Sequence, residues 1–170
     1  CALSKITIKD SFKNIDNGRL DQIINSLLEK SQSTGCEYSD YMSLWNGLNK
    51  FQPKCILELG SGITSALIAY YIHTRTENNT VKFVSMEESE YYFNNIKSIF
   101  PKEFSDYVEF ILSERVEKIY GGLTGCYYKN IPDLNYDFLF IDGPVDRAKF
   151  NDKNYPKTFN SDIVNHILKS

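Results

Sequence analysis

The stretch Cys-Ile-Leu-Glu-Leu-Gly-Ser-Gly-Ile-Thr-Ser at residues 55–65 joins an apolar strand to a glycine turn and the start of a helical pattern. Gly60 and Gly62 allow the chain to turn sharply, and without Cβ atoms they let a ligand approach the backbone closely. The following helix presents unpaired N–H groups at this turn. Glu58 lies near the carboxyl end of the strand, where open α/β sheets bind ligands, and its carboxylate repels phosphate and attracts ammonium. We therefore predict a nucleotide-like ligand that is cationic near the turn.

Length and composition are those of one globular domain. The chain has 170 residues, of which 42% are hydrophobic and 24% charged. We expect a single domain, with an N-terminal helical segment at 1–52 and a ligand-binding core at 53–170. No apolar run approaches the roughly 20 residues that span a bilayer, so we expect no membrane span.

Charge and cysteine usage narrow the class of protein further. The net charge of -3 argues against nonspecific nucleic-acid binding, which requires a basic surface. The four cysteines contain no Cys-x-x-Cys pair, so neither a zinc knuckle nor a redox motif is visible and structural thiols are favoured. We expect a cytoplasmic protein that binds a small molecule.

Hydrophobic periodicity predicts helices first and then alternating strands and helices. Asp16 or Asn17 is a candidate cap for the first helix, and Pro53 ends the second. Predicted helices are 16–31, 38–51, 64–73, 90–99 and 161–169, and predicted strands are 56–59, 81–86, 107–112 and 136–141. Residues 114–131 indicate a short helix and a loop. The alternation implies parallel pairing through right-handed crossovers, hence an α/β three-layer sandwich with a mainly parallel sheet, truncated after the fourth strand.

The carboxyl ends of parallel strands meet at one edge of the sheet, so the residues that follow the four strands should converge. Each of these strand ends carries an acid. The residues at the four strand ends are Glu58 to Gly62, with Ser61 between the glycines, then Glu87 and Glu88, then Ser113 and Glu114, and last Asp142 to Pro144.

Glu87 is the candidate ribose ligand. It follows the second strand, 25 residues beyond Gly62, close to the position at which an acid binds a ribose diol in dinucleotide folds. Glu88 is the alternative candidate for the ribose ligand. The structural explanation for an acid at this position is that it stabilises the N-terminus of the following helix. Ser113 or Glu114, after the third strand, would face the base.

Three motifs in this order resemble the class I S-adenosylmethionine-dependent methyltransferases. They are Ile-Leu-Glu-Leu-Gly-Ser-Gly at 56–62, Phe-Val-Ser-Met-Glu at 83–87 and Tyr-Asp-Phe-Leu-Phe-Ile-Asp-Gly-Pro at 136–144. The resemblance covers roughly residues 40–165, although Thr64 replaces the third glycine of the family motif. It implies a Rossmann-like fold and S-adenosylmethionine as cofactor. By position, Glu58 and the backbone at 60–62 would hold the methionine portion, Glu87 the ribose, and Ser113 with Glu114 the adenine side.

Ile-Asp-Gly-Pro resembles a subgroup that often methylates oxygen of small molecules or sugars. Asp142 would then lie beside the transferred methyl group as the catalytic residue, a substrate-orienting group or base. It could also be a ligand of a divalent metal, as in catechol-type O-methyltransferases, whose second ligand pair follows a fifth strand that this sequence does not show. Metal dependence and oligomeric state are left open.

Two other functions are consistent with these motifs. One is a catalytically silent binding or interaction module that keeps the fold. The other is a NAD(P)-dependent oxidoreductase, which fits less well because Ser65 takes the third glycine position of Gly-x-Gly-x-x-Gly and Glu58 would crowd a pyrophosphate.

Overall fold

The computed structural model describes residues 2–32, 36–75, 80–120, 123–142, 148–150, 153–155 and 159–160. The α-helices are α1 (Ala2–Lys13), α2 (Arg19–Leu28), α3 (Tyr38–Phe51), α4 (Ile63–Arg75) and α5 (Glu90–Ile99), with short 3-10 helices at Ile15–Gly18 and Lys102–Tyr107. The strands are β1 (Cys55–Leu59), β2 (Lys82–Glu87), β3 (Glu109–Leu112), β4 (Arg115–Tyr120), β5 (Leu123–Tyr128), β6 (Phe138–Ile141), β7 (Ala148–Phe150), β8 (Lys153–Tyr155) and β9 (Phe159–Asn160).

The central sheet has four parallel strands in the order β3-β2-β1-β6. β1 pairs with β2 and β6, and Glu58 is in register with Ser85 on one side and Phe140 on the other. All five residues of β1 are buried, as expected for the middle of a parallel sheet. The fold is therefore α/β and Rossmann-like, and the four predicted parallel strands are confirmed.

The helices cover one face of this sheet. Alternation along β1 directs Ile56 into a cluster with buried side chains of α1 to α5, and directs Leu57 and Leu59 into a second cluster. Phe12 of α1 and Leu48 of α3 lie in the first cluster, so the N-terminal helices share the core of the sheet. Among the described helices, none is long and apolar enough to cross a membrane.

β4 and β5 pair as an antiparallel hairpin, whose last residue packs on the second face of the sheet together with side chains from residues 131–136. Tyr128 of β5 is buried there against Leu57 and Met86. The prediction of a short helix and loop at 114–131 was therefore wrong. The glycines at 121, 122 and 125 resemble breaks in a regular element, and they obscure the two strands in the sequence.

Other predictions differ from the structure in detail. The predicted helix at 16–31 is α2 preceded by a 3-10 turn, and Asp16 and Asn17 do not cap it, because both have positive φ and Gly18 is the N-cap residue. α1 was not predicted. Residues 161–169 lie outside the described residues, and β7, β8 and β9 join smaller sheets instead of the central one.

Replacing Tyr128 by Ala tests the hairpin on the second face. We expect a loss of about 3–5 kcal/mol in the free energy of unfolding, because a large buried aromatic side chain is removed. Tyr127→Ala is the matched control, since the neighbouring side chain points to the other face of β5 and is half-buried. Chemical denaturation measures both. Equal losses would contradict the difference in burial between the two neighbouring side chains of β5.

Candidate functional site

Three backbone hydrogen bonds join the ends of the parallel strands into one edge. The Asp142 N–H donates to Leu59 O at 3.0 Å, the Gly60 N–H to Met86 O at 2.9 Å and the Ser113 N–H to Glu87 O at 2.9 Å. They continue the pairing of β6, β1, β2 and β3 by one residue each. The structure therefore places the residues predicted for the site along one line.

The glycine turn lies at the centre of this edge. Gly60 has φ of 97°, a conformation that side chains with a Cβ rarely adopt, whereas Gly62 is not in the positive-φ region. The Gly62 N–H donates to Ser65 Oγ at 3.0 Å, which ties the turn to the first turn of α4. Of the two glycines in the turn, Gly60 is therefore the one whose backbone conformation requires glycine.

Glu58 lies beneath the turn and is completely buried. Its carboxylate accepts hydrogen bonds from Thr64 Oγ1 at 2.6 Å, Ser65 Oγ at 2.5 Å and Ser85 Oγ at 2.6 Å. Burial raises its pKa to about 7, and the three hydroxyl donors oppose that shift. These hydrogen bonds connect Glu58 to α4 and β2, so Glu58 supports the turn structurally. The described contacts of its carboxylate are all with the protein's own hydroxyl groups.

Glu87 lies against the turn itself. Its Oε2 accepts from the Ser61 N–H at 3.1 Å and its Oε1 from the Ser89 N–H at 2.9 Å. The residue is 5% exposed, and burial raises its pKa to about 7. The second acidic position and the glycine turn are therefore in direct contact, which the sequence spacing only suggested.

Glu88 has a different environment. Its Oε1 lies 3.3 Å from Arg115 Nη1, and its Oε2 accepts a hydrogen bond from the Tyr128 hydroxyl at 2.6 Å. Burial, followed by the charge of Glu88, raises the pKa of Tyr128, so this hydroxyl keeps its proton and acts as donor. Both acids have both carboxylate oxygens engaged, Glu88 by side chains of the hairpin and Glu87 by the backbone N–H groups of Ser61 and Ser89, so Glu87 is the one of the two that contacts the glycine turn.

Ser113 and Glu114 follow β3 but face different surroundings. Ser113 is 1% exposed, and its hydroxyl accepts from the Asn130 N–H at 3.1 Å. Glu114 is largely exposed and forms an ion pair with Lys129 at 3.4 Å. These contacts hold the end of β3 to the segment after β5, and a role of either residue beside an adenine stays a prediction.

Asp142 lies at the other end of the edge, beside residues that precede and begin α3. The Cys36 thiol donates to Asp142 Oδ2 at 3.1 Å, and Asp40 accepts from the Glu37 N–H at 2.8 Å. Burial raises the pKa of Asp142 and the charge of Asp40 adds to it, while the thiol donor opposes the shift. Burial, reinforced by Asp142, also raises the pKa of Cys36, so the thiol is protonated and a donor.

Sequence reasoning missed several of these partners. Cys36, Asp40 and Arg115 gave no local signal, because their relation to the sheet edge arises only from packing. Ser85 did carry one, since it is a hydroxyl in the middle of the apolar strand Phe-Val-Ser-Met. A polar residue in a buried strand needs a partner, and here that partner is Glu58.

Within the described ranges, no group of three or more His, Cys, Asp or Glu side chains could hold a metal ion. Comparison with known proteins gives no further assignment. No protein-family model matches the chain, and no relative is found among curated proteins.

The raised pKa of Glu58 makes a prediction about stability. In the unfolded chain this group titrates near 4.5 and in the folded protein near 7. Between these values the unfolded chain loses its proton first, so the contribution of Glu58 to stability falls as pH rises and is constant above about 7. Relative to Glu58→Gln, the wild type should lose roughly 3 kcal/mol of its free energy of unfolding as the pH rises through this window.

Denaturation in urea at several pH values measures this difference. Glu29→Gln is the control, because it makes the same substitution at an exposed position at the end of α2. A constant difference between wild type and Glu58→Gln would show that the buried carboxyl does not titrate in this window.

Proposed function

We propose that this chain is an S-adenosylmethionine-dependent methyltransferase that acts on a small molecule, with oxygen of that molecule or of a sugar as the acceptor atom. The observation that carries the proposal is the contact between the Glu87 carboxylate and the Ser61 N–H, at 3.1 Å. It brings a buried acid to the glycine turn, so one ligand can use both the backbone of the turn and the carboxylate. The motif resemblance and the order of the four parallel strands agree with it.

The charge of the sheet edge supports a cationic cofactor over a dinucleotide. Glu58, Glu87 and Asp142 lie along it, and the pKa of each is raised above its ordinary value, chiefly by burial. A pyrophosphate at the turn would add negative charge to this edge, whereas a sulfonium and an ammonium group would offset it. Ser65, at the third glycine position, is buried beneath the turn and bonded to Glu58.

The residues present fit the proposed cofactor in their donor and acceptor chemistry. The Glu87 carboxylate can accept hydrogen bonds from both hydroxyls of a ribose, and the turn at 60–62 allows close approach of the methionine portion. When bound, S-adenosylmethionine supplies an electrophilic methyl group on a sulfonium. Asp142, across the strand end from Gly60, would orient the acceptor molecule beside that methyl group.

Calorimetry with S-adenosylhomocysteine tests the cofactor site. We expect micromolar binding that Glu87→Gln weakens about tenfold or more, because hydrogen bonds to a charged group are lost. Glu88→Gln is the matched comparison one residue away. Its effect should be much smaller, since Glu88 is engaged by Arg115 and Tyr128. Failure of the intact protein to bind S-adenosylhomocysteine refutes the proposal.

Turnover separates an enzyme from a silent module. Methyl incorporation from labelled S-adenosylmethionine into any hydroxyl-bearing acceptor supports the enzyme, and cofactor binding without incorporation across acceptor classes supports the module. Enhanced NADH fluorescence on mixing, without S-adenosylhomocysteine binding, would support the oxidoreductase instead.

The pKa of Glu87 gives a second, independent prediction for the cofactor. Protonation removes an acceptor for a ribose hydroxyl, so affinity for S-adenosylhomocysteine should rise as pH rises through about 7. In Glu87→Gln the residual affinity should change much less with pH. Calorimetry in two buffers with different ionisation enthalpies also measures the proton released on binding by the wild type. Identical pH profiles for both proteins would exclude this role of Glu87.

A further inference from the structure

A cleft of about 340 Å³ opens beside the carboxyl end of β6. One wall consists of Cys36 and the first two turns of α3, and the other consists of β6 and the residue that follows it. The lining residues are Cys36, Asp40, Ser43, Leu44, Phe138, Phe140, Ile141 and Asp142. Its volume is within the range of small-molecule sites.

The lining combines an apolar body with negative charge. Phe138, Phe140 and Leu44 supply aromatic and aliphatic surface, and Asp40 and Asp142 supply two carboxylates. None of the described lining residues is Lys, Arg or His. Aromatic rings beside carboxylates suit a cation that is attached to an apolar group.

The two carboxylates also affect the pKa values of neighbouring groups. Burial, then the hydrogen bond to Asp142, then the charges of Asp142 and Asp40 raise the pKa of the Cys36 thiol. The pKa of the Tyr41 hydroxyl is raised by burial and then by groups that include Cys36, Asp142 and Asp40. Asp40 also raises the pKa of Asp142. A positive charge in the cleft would offset this like-charge repulsion.

The cleft adjoins the glycine turn. The Asp142 N–H donates to the carbonyl of Leu59 at 3.0 Å, and Gly60 is the next residue. A molecule that contacts Asp142 in the cleft is therefore beside the edge at which the cofactor is proposed to bind.

We propose that this cleft binds a small molecule that carries a protonated amino group on an apolar, aromatic body, with the amino group between Asp40 and Asp142. That this molecule is the methyl acceptor rests on the proposed function. The binding preference itself does not, because it follows from the lining of the cleft.

Three phenols of nearly the same shape test the preference. They are tyramine, which is cationic at neutral pH, 4-ethylphenol, which is neutral, and 3-(4-hydroxyphenyl)propionate, which is anionic. We expect tyramine to bind about tenfold more tightly than 4-ethylphenol, because its ammonium group gains a charge-assisted hydrogen bond. The anion should bind most weakly, because the carboxylates of the cleft repel it. Calorimetry or ligand-observed NMR on the full chain measures all three.

Asp40→Asn and Asp142→Asn should each reduce the preference for tyramine over 4-ethylphenol severalfold. Asp106→Asn is the matched control. It removes the same charge from an exposed residue in the 3-10 helix before β3, at the opposite edge of the parallel sheet. In the wild type, high salt should also shrink the preference, which gives a measurement independent of how well the variants fold.

Equal binding of the three phenols, no tyramine binding at millimolar concentration, or a preference that survives both Asp variants would overturn the proposal. The cofactor experiment distinguishes the two proposals. S-adenosylhomocysteine binding without a preference for tyramine rejects the cationic cleft and leaves the methyltransferase proposal in place. A preference for tyramine without S-adenosylhomocysteine binding supports the cleft and rejects the methyltransferase.

Discussion

The hydrogen bonds around Glu58 connect β1, β2 and α4 at the point where the chain must turn. A carboxylate buried in a parallel sheet carries a large desolvation cost, which is tolerable only where its oxygens find donors. Thr64 and Ser65 in the first turn of α4 and Ser85 in β2 supply them. The same hydroxyls constrain where α4 begins, because Ser65 also accepts from the Gly62 N–H. The position of the glycine turn, and of everything proposed to bind there, therefore depends on a buried polar cluster.

Three acids at the sheet edge are costly to ionise despite the hydrogen bonds they accept. Burial raises the pKa of Glu58, Glu87 and Asp142, so the folded protein disfavours the ionised form of each acid. Such an arrangement lowers stability at neutral pH, and binding of a cationic molecule would offset part of that loss. Perturbed carboxyls that cluster at the carboxyl edge of a parallel sheet are typical of ligand sites. The neighbouring Glu88 differs because Arg115 compensates its charge.

The local sequence pattern was sufficient to predict a helix or strand where one physical signal dominated. β1 and β6 were predictable as continuous apolar runs, and α5 as an amphipathic segment between Ser89 and Pro101. The hairpin was not, since the glycines at 121, 122 and 125 resemble a break between two elements. The start of α2 was misjudged for a related reason. Asp16 and Asn17 are residue types that often cap helices, yet both adopt positive φ in the 3-10 turn that precedes Gly18.

The sequence by itself determined that Glu58, Glu87, Ser113 and Asp142 lie at or next to the carboxyl ends of four strands. These residues converge because parallel strands have their carboxyl ends at one edge of the sheet. Only the tertiary structure decided which partners each of these side chains has. The choice between Glu87 and Glu88 depends on Arg115 and Tyr128, and the cleft beside Asp142 depends on Cys36 and Asp40. These partners lie far away in the chain. Hydrogen bonding and charge act through space, so no local pattern of residues could reveal them.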